Sequence, residues 1–169
     1  GLIPMVLKDF HLLPMSADYN TMAKSDEFVA VKQSLVDMKQ QVEAQGGHFL
    51  LVYVPSKEHV YWSRIWDPTD VNNILERSVT VKLSAGDHGH FEWEPKYLSY
   101  DTFNANHNAQ ERLLTDFAQA NGIEFLNLTP AFWEQGIKHG ELYQYADPHW
   151  NQAGNGLAAQ TIADYLKTH

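Results

Sequence analysis

The spacing of apolar positions changes character several times along the chain, and each change marks an element. From Ser25 the stretch S-D-E-F-V-A-V-K-Q-S-L-V-D-M-K-Q-Q-V-E-A-Q-G-G sets Phe28, Val31, Leu35, Met38 and Val42 three and four apart. That repeat lays apolar side chains along one stripe of an α-helix. Ser25 suits the N-cap, Asp26 and Glu27 the positive end of the helix dipole, and Gly46 or Gly47 a left-handed stop. The period is then lost. H-F-L-L-V-Y-V-P, residues 48–55, is a continuous apolar run too short for another helix and stopped by Pro55, the pattern of a strand covered on both faces.

The same succession recurs. N-A-Q-E-R-L-L-T-D-F-A-Q-A-N-G predicts a helix stopped at Asn121-Gly122, and I-E-F-L-N-L a second buried strand. Two helix-then-strand units predict a parallel sheet with helices packed against it. Thr129 as cap and Pro130 at the first helical position open a short helix that Gly140 ends. A last helix starts near Asn151 and is expected to bury Leu157, Ala158, Ile162, Tyr165 and Leu166. Residues 66–106 are patterned more weakly. S-V-T-V-K-L and H-F-E-W-E-P around A-G-D-H-G predict a hairpin, an insertion at the rim of the sheet.

Size and composition narrow the alternatives. The chain has 169 residues, enough for one domain that buries roughly 70% of its unfolded surface. Its 44% apolar and 20% charged content is ordinary for a globular protein. With 12 Lys+Arg against 21 Asp+Glu, a net charge of -9 and no basic cluster, nothing is suited to neutralising phosphates, so nucleic acid is not an expected partner. The absence of cysteine excludes disulfides, thiol nucleophiles and thiolate metal sites. No apolar run approaches the ~20 residues that span a bilayer, so no membrane span is expected. The first residue is Gly1, which suggests a piece or processed form of a longer protein.

The chemistry concentrates in A-D-P-H-W-N, residues 146–151. In an extended segment residues two apart point the same way, so Asp147 and His149 project together while Pro148 stiffens the backbone between them. A carboxylate so placed fixes the tautomer that leaves the far imidazole nitrogen free to take a proton. Spacing alone does not distinguish this from a turn at a helix entrance.

A longer string does. Y-x-x-A-D-P-H-W-N-x-x-G-x-x-x-A-A-x-x-I-A-x-x-L, together with P-S-K-E-H-V-Y at 55–61 and F-L-N-L-T-P-A-F at 125–132, resembles the carboxyl-terminal part of SGNH/GDSL-type hydrolases, in particular the D-x-H-W branch with the alginate O-acetyltransferases. The resemblance spans residues 26–166. It implies a three-layer αβα, flavodoxin-like fold, here incomplete, with residues 66–106 inserted. It also implies a serine-dependent esterase or O-acyltransferase acting on acylated carbohydrate or another ester, without a cofactor, in the periplasm, at the cell surface or secreted. Asp147 would be the orienting acid and His149 the general base; Ser56, Lys57 and Trp150 would line the substrate site.

The chain departs from that pattern in lacking the G-D-S nucleophile block and a G-x-N-D block. The nucleophile is therefore expected upstream, in a part of the parent protein outside this chain, and the chain alone is expected to be inactive. Three alternatives stand beside this. Ser56 follows a strand end, where open α/β sheets place ligands, and could itself be the nucleophile. The domain could be a non-catalytic module that binds glycan or protein. Or the chain could be whole and pair along an uncovered sheet edge with itself or with another subunit that supplies the rest of the sheet.

Two further clusters carry weaker signals. Asp87, His88, His90, Glu92 and Glu94 include alternating metal-ligand types, but a surface hairpin shows the same polar face, and no metal site is expected. Tyr61, Trp62, Trp66, Phe91 and Trp93 are a sugar-stacking platform or, more ordinarily, core. Lys57 and Glu58 read equally well as a solvated loop pair.

Overall fold

The computed structural model describes residues 15–62 and 100–169. Within them the chain is mixed α/β, mostly helical, around a two-stranded parallel sheet. In order come α1 (Tyr19–Lys24), α2 (Asp26–Ala44), β1 (Leu50–Tyr53), α3 (Lys57–Tyr61), α4 (Tyr100–Asn106), α5 (Ala109–Ala120), β2 (Glu124–Asn127), α6 (Thr129–His139) and α7 (Gln152–Thr168). The strands align Leu50 with Glu124 and Tyr53 with Asn127.

The local signals act as their chemistry requires. Ser25 caps α2 by accepting from the Phe28 N–H at 3.2 Å. Gly46 and Gly122 take the positive φ values, 76° and 58°, that end α2 and α5. Asn151 caps α7 by accepting from the Gly154 N–H at 3.0 Å. At the start of α6 the cap is displaced: Thr129 is already helical, and Asn127 supplies the acceptor for its N–H at 2.9 Å. Asparagine reaches a backbone N–H two residues on, as in an Asx turn, so the end of β2 itself starts the helix.

Burial departs from the expected pattern in three places. Both strands are half-buried along their length rather than covered on both faces; among the described residues the sheet is two strands wide, too narrow to bury them. Val52 and Leu126 pack on a core made by Val60, Tyr61, Leu128, Phe132, Leu142, Tyr143 and Ala158, which joins α3, α6 and α7. α2 buries none of its stripe, and Val31 and Met38 are exposed. In α7 Ala158 is buried and Leu157, Ile162 and Tyr165 are partly so, but Leu166 is 61% exposed.

The expected hairpin, with Asp87, His88, His90, Glu92 and Glu94, lies outside the described residues, as do Trp66, Phe91 and Trp93. The carboxyl-terminal end of the region expected to be inserted, residues 100–106, is the helix α4. Tyr61 and Trp62 are core residues, 2% and 5% exposed. Among the described residues no helix is long and apolar enough to cross a membrane.

Candidate acid–base site

The site forms where the chain leaves β1. Pro55 breaks the strand, and Ser56 in extended conformation (φ -75°, ψ 160°) turns the backbone into α3, its Oγ accepting from the His59 N–H at 3.1 Å. The same hydroxyl donates to Met15 Sδ at 3.6 Å. Ser56 is thus a helix cap.

Lys57 follows, and its position differs from both expectations. It is 1% exposed, neither a solvated residue nor free to meet a substrate. Its Nζ donates to the carbonyls of Gln144, Tyr145 and Asp147 at 3.0, 3.0 and 3.1 Å. An ammonium has three donors, enough to serve all three carbonyls at once. Glu58 beside it is fully buried too.

Those carbonyls belong to the loop that carries Asp147 and His149. The loop is closed at its neck by an antiparallel bridge between Tyr143 and Trp150, and by the Gln144 N–H donating to the His149 carbonyl at 2.9 Å. It is fastened to the strand end by the Tyr143 hydroxyl, which donates to the Pro55 carbonyl at 2.7 Å. Gly154 lets α7 pass close beneath: a Cβ there would stand 2.2 Å from the Leu142 carbonyl oxygen.

At the tip, the Asp147 carboxylate engages His149 twice. It accepts from the His149 backbone N–H at 2.8 Å and pairs with the ring Nδ1. An ionised carboxylate only accepts, which assigns a ring proton to Nδ1; in the neutral ring Nε2 then carries the lone pair. The ring is 84% exposed. An acid-held imidazole facing outward can exchange a proton with whatever reaches its far nitrogen.

His149 also borders a cavity of about 630 Å³ at the carboxyl end of β1, with Tyr53, Ser56, His59, His107, Tyr143 and Trp150 on its walls. The structure therefore gathers His149, Ser56 and Trp150 around one space and leaves Lys57 behind the wall. No serine hydroxyl among the described residues bonds to His149; Ser56 spends its bonds on Met15 and the α3 backbone. Trp150 packs its ring against Phe132, centroids 5.0 Å apart.

His59 and His107 on the cavity wall, and Glu111 beside His59, are residues that sequence reasoning did not single out. His59 Nε2 stands 3.6 Å from Glu111 Oε2, and its ring meets His107 edge-on at 5.6 Å. Burial pushes the His59 imidazole below the ordinary histidine range; the Glu111 carboxylate opposes this and His107 adds to it. Burial likewise raises the Tyr53 and Tyr143 phenols, so both stay protonated, and Tyr143 donates to Pro55. The one available signal for His59 was its place three residues after a capping serine. Glu111 is far away in the chain and only the fold brings it near.

Among the described residues no group of three or more His, Asp or Glu side chains could hold a metal ion. Comparison with family models, curated proteins and solved structures gives no match to this chain.

Proposed function

We propose that the chain carries the acid–base part of a serine-dependent esterase or O-acyltransferase that works on acyl esters of carbohydrate, within a three-layer SGNH-like domain. The observation that carries this reading is the Asp147 carboxylate pairing with Nδ1 of an exposed His149, beside a cavity at a strand's carboxyl end. That is the place where open α/β sheets put their ligands.

In the proposed reaction a serine from an upstream segment of the parent protein attacks the acyl carbon while His149 Nε2 takes its proton. The tetrahedral intermediate collapses, and His149 returns the proton to the departing sugar oxygen. Water or a second sugar hydroxyl then attacks the acyl-serine with His149 again as base. Asp147 holds the ring in the one tautomer that can do this and stabilises the imidazolium that forms.

The test is hydrolysis of an aryl acetate by the parent-length protein and by this chain. The parent should turn over, and Asp147→Asn should lower its kcat by about 10⁴-fold, the size found when the carboxylate of such a triad is neutralised. The chain alone should show no rate above buffer. An inactive parent, or one indifferent to His149→Ala, would sink the proposal; His149-dependent turnover by the chain alone that Ser56→Ala abolishes would move the nucleophile to Ser56.

A further inference from the structure

The loop of residues 144–149 has no regular structure of its own, and Gln144, Tyr145, Asp147 and His149 in it are exposed. Nothing apolar in it is buried to hold a conformation. Yet the relation between Asp147 and His149 requires a defined backbone, because a carboxylate meets the ring nitrogen of a residue two positions on only in a narrow range of φ and ψ. The neck bonds fix where the loop begins and ends. They do not by themselves set the backbone at Asp147.

What fills the inside of the loop is the Lys57 ammonium. The carbonyls of Gln144, Tyr145 and Asp147 turn inward and converge on one Nζ at 3.0–3.1 Å, so the loop wraps a cation. Removing a lysine from water to 1% exposure is costly unless its charge meets good acceptors. Three charge-assisted bonds to carbonyls help to meet that condition, and each is stronger than a neutral one. One of the three acceptors is the carbonyl of Asp147 itself. The bond therefore fixes the backbone of the residue whose side chain orients His149.

Resting on the acid–base reading above, we propose that Lys57 is a positioning residue for that site: its buried ammonium templates the 144–149 loop and thereby holds the Asp147 carboxylate on His149 Nδ1. Lys57 touches no reacting atom. It follows directly on Ser56 at the cavity wall, so the segment after β1 supplies both a wall of the cavity and the support of its acid–base pair.

The experiment is imidazole 15N NMR of this chain at about pH 8, where histidine rings are ordinarily neutral, on the wild type, Lys57→Met and Asp147→Asn. The wild type should show His149 in a single tautomer with the proton on Nδ1, and Asp147→Asn should lose that preference. Lys57→Met keeps the stem and removes the donors. It should lose the preference to the same extent as Asp147→Asn while the amide resonances of α2 and α7 stay in place. In the active parent, the same variant should lower kcat with little change in KM. A Lys57→Met chain that keeps the Nδ1 tautomer overturns the assignment.

Should that variant fail to fold, the wild type decides alone. A slowly exchanging Lys57 ammonium resonance with Overhauser contacts to residues 145 and 147 supports the template, and a rapidly exchanging one overturns it. A tautomer lost in Lys57→Met together with an inactive parent would remove the esterase reading and leave the positioning role intact, so the two failures are separable.

Discussion

Helices α2 and α3 invert the usual relation between composition and depth. α2 runs nineteen residues with a regular apolar stripe and buries none of them. α3 runs five residues, three of them Lys57, Glu58 and His59, and buries every one. Burial here follows proximity to the cavity. α3 starts at the end of β1 and lies against α6, beneath the loop that carries Asp147 and His149, so all its sides are occupied. α2 meets α5 near its start, where Phe28 stands edge-on to Phe117 at 6.3 Å, and extends from there with much of its surface open. Polar groups placed so deep cost free energy unless bonded, and their presence marks the segment where geometry matters more than burial of apolar area.

The sharpest way to break that comparison is to unfasten α3. The Tyr61 hydroxyl accepts from the buried Leu142 N–H at 2.8 Å and donates to the Gly140 carbonyl at 3.1 Å, tying α3 to the chain after α6. Tyr61→Phe keeps the ring and orphans the Leu142 N–H, which should cost about 1–3 kcal/mol, the penalty for a buried group left without a partner. Urea denaturation reads it directly. A loss near zero would mean that α3 is held by packing of Val60 and the Tyr61 ring, and that its polar bonds are incidental.

The next test uses pH, and it should separate the two helices because only α3 carries a buried titratable ring. His59 is held below the histidine value of 6.5, first by burial. An unfolded chain then binds the proton more readily than the folded one, so stability is full above 6.5 and falls as pH drops through the depressed folded value. Urea midpoints taken between pH 7.5 and 5 should decline, and His59→Gln should flatten the decline. An unchanged slope in that variant would assign the acid sensitivity to other groups.

The two helices also show what could be read in advance. The bounds of α2 and α7 follow from Ser25, Gly46 and Asn151, because caps and glycine stops act through bonds to residues three or four away. The pairing of Asp147 with His149 was legible for the same reason: both partners lie within three residues. α3 was opaque because five residues are too few to show a period and its polar letters describe a surface loop. The role of Lys57 was invisible, since its acceptors are main-chain carbonyls some ninety residues later, and a carbonyl leaves no mark in a sequence. The same distance hid the approach of Glu111 to His59. The strands read as doubly covered because an apolar run reports what a strand can bury and says nothing about how many neighbours the sheet provides.

The smallest expected effect falls on α2 and tests the other half of the contrast. Val31 is 44% and Met38 51% exposed, so truncating either removes few contacts and opens no cavity. Val31→Ala and Met38→Ala should each change stability by no more than about 0.5 kcal/mol, the range of surface substitutions. Alanine is also the better helix former, and the gain for Val31 should offset part of what is lost. The stripe nevertheless keeps the spacing of a packed helix, and a loss of 2 kcal/mol or more in both variants, in the range of buried truncations, would show that the stripe is covered when the chain is in solution. If that loss grew with protein concentration the cover would be a second copy, because stability that depends on association follows mass action; if it did not, the cover would come from the chain itself. Either result would make α2 a core helix after all, and the inversion between α2 and α3 would then be confined to the polar residues of α3.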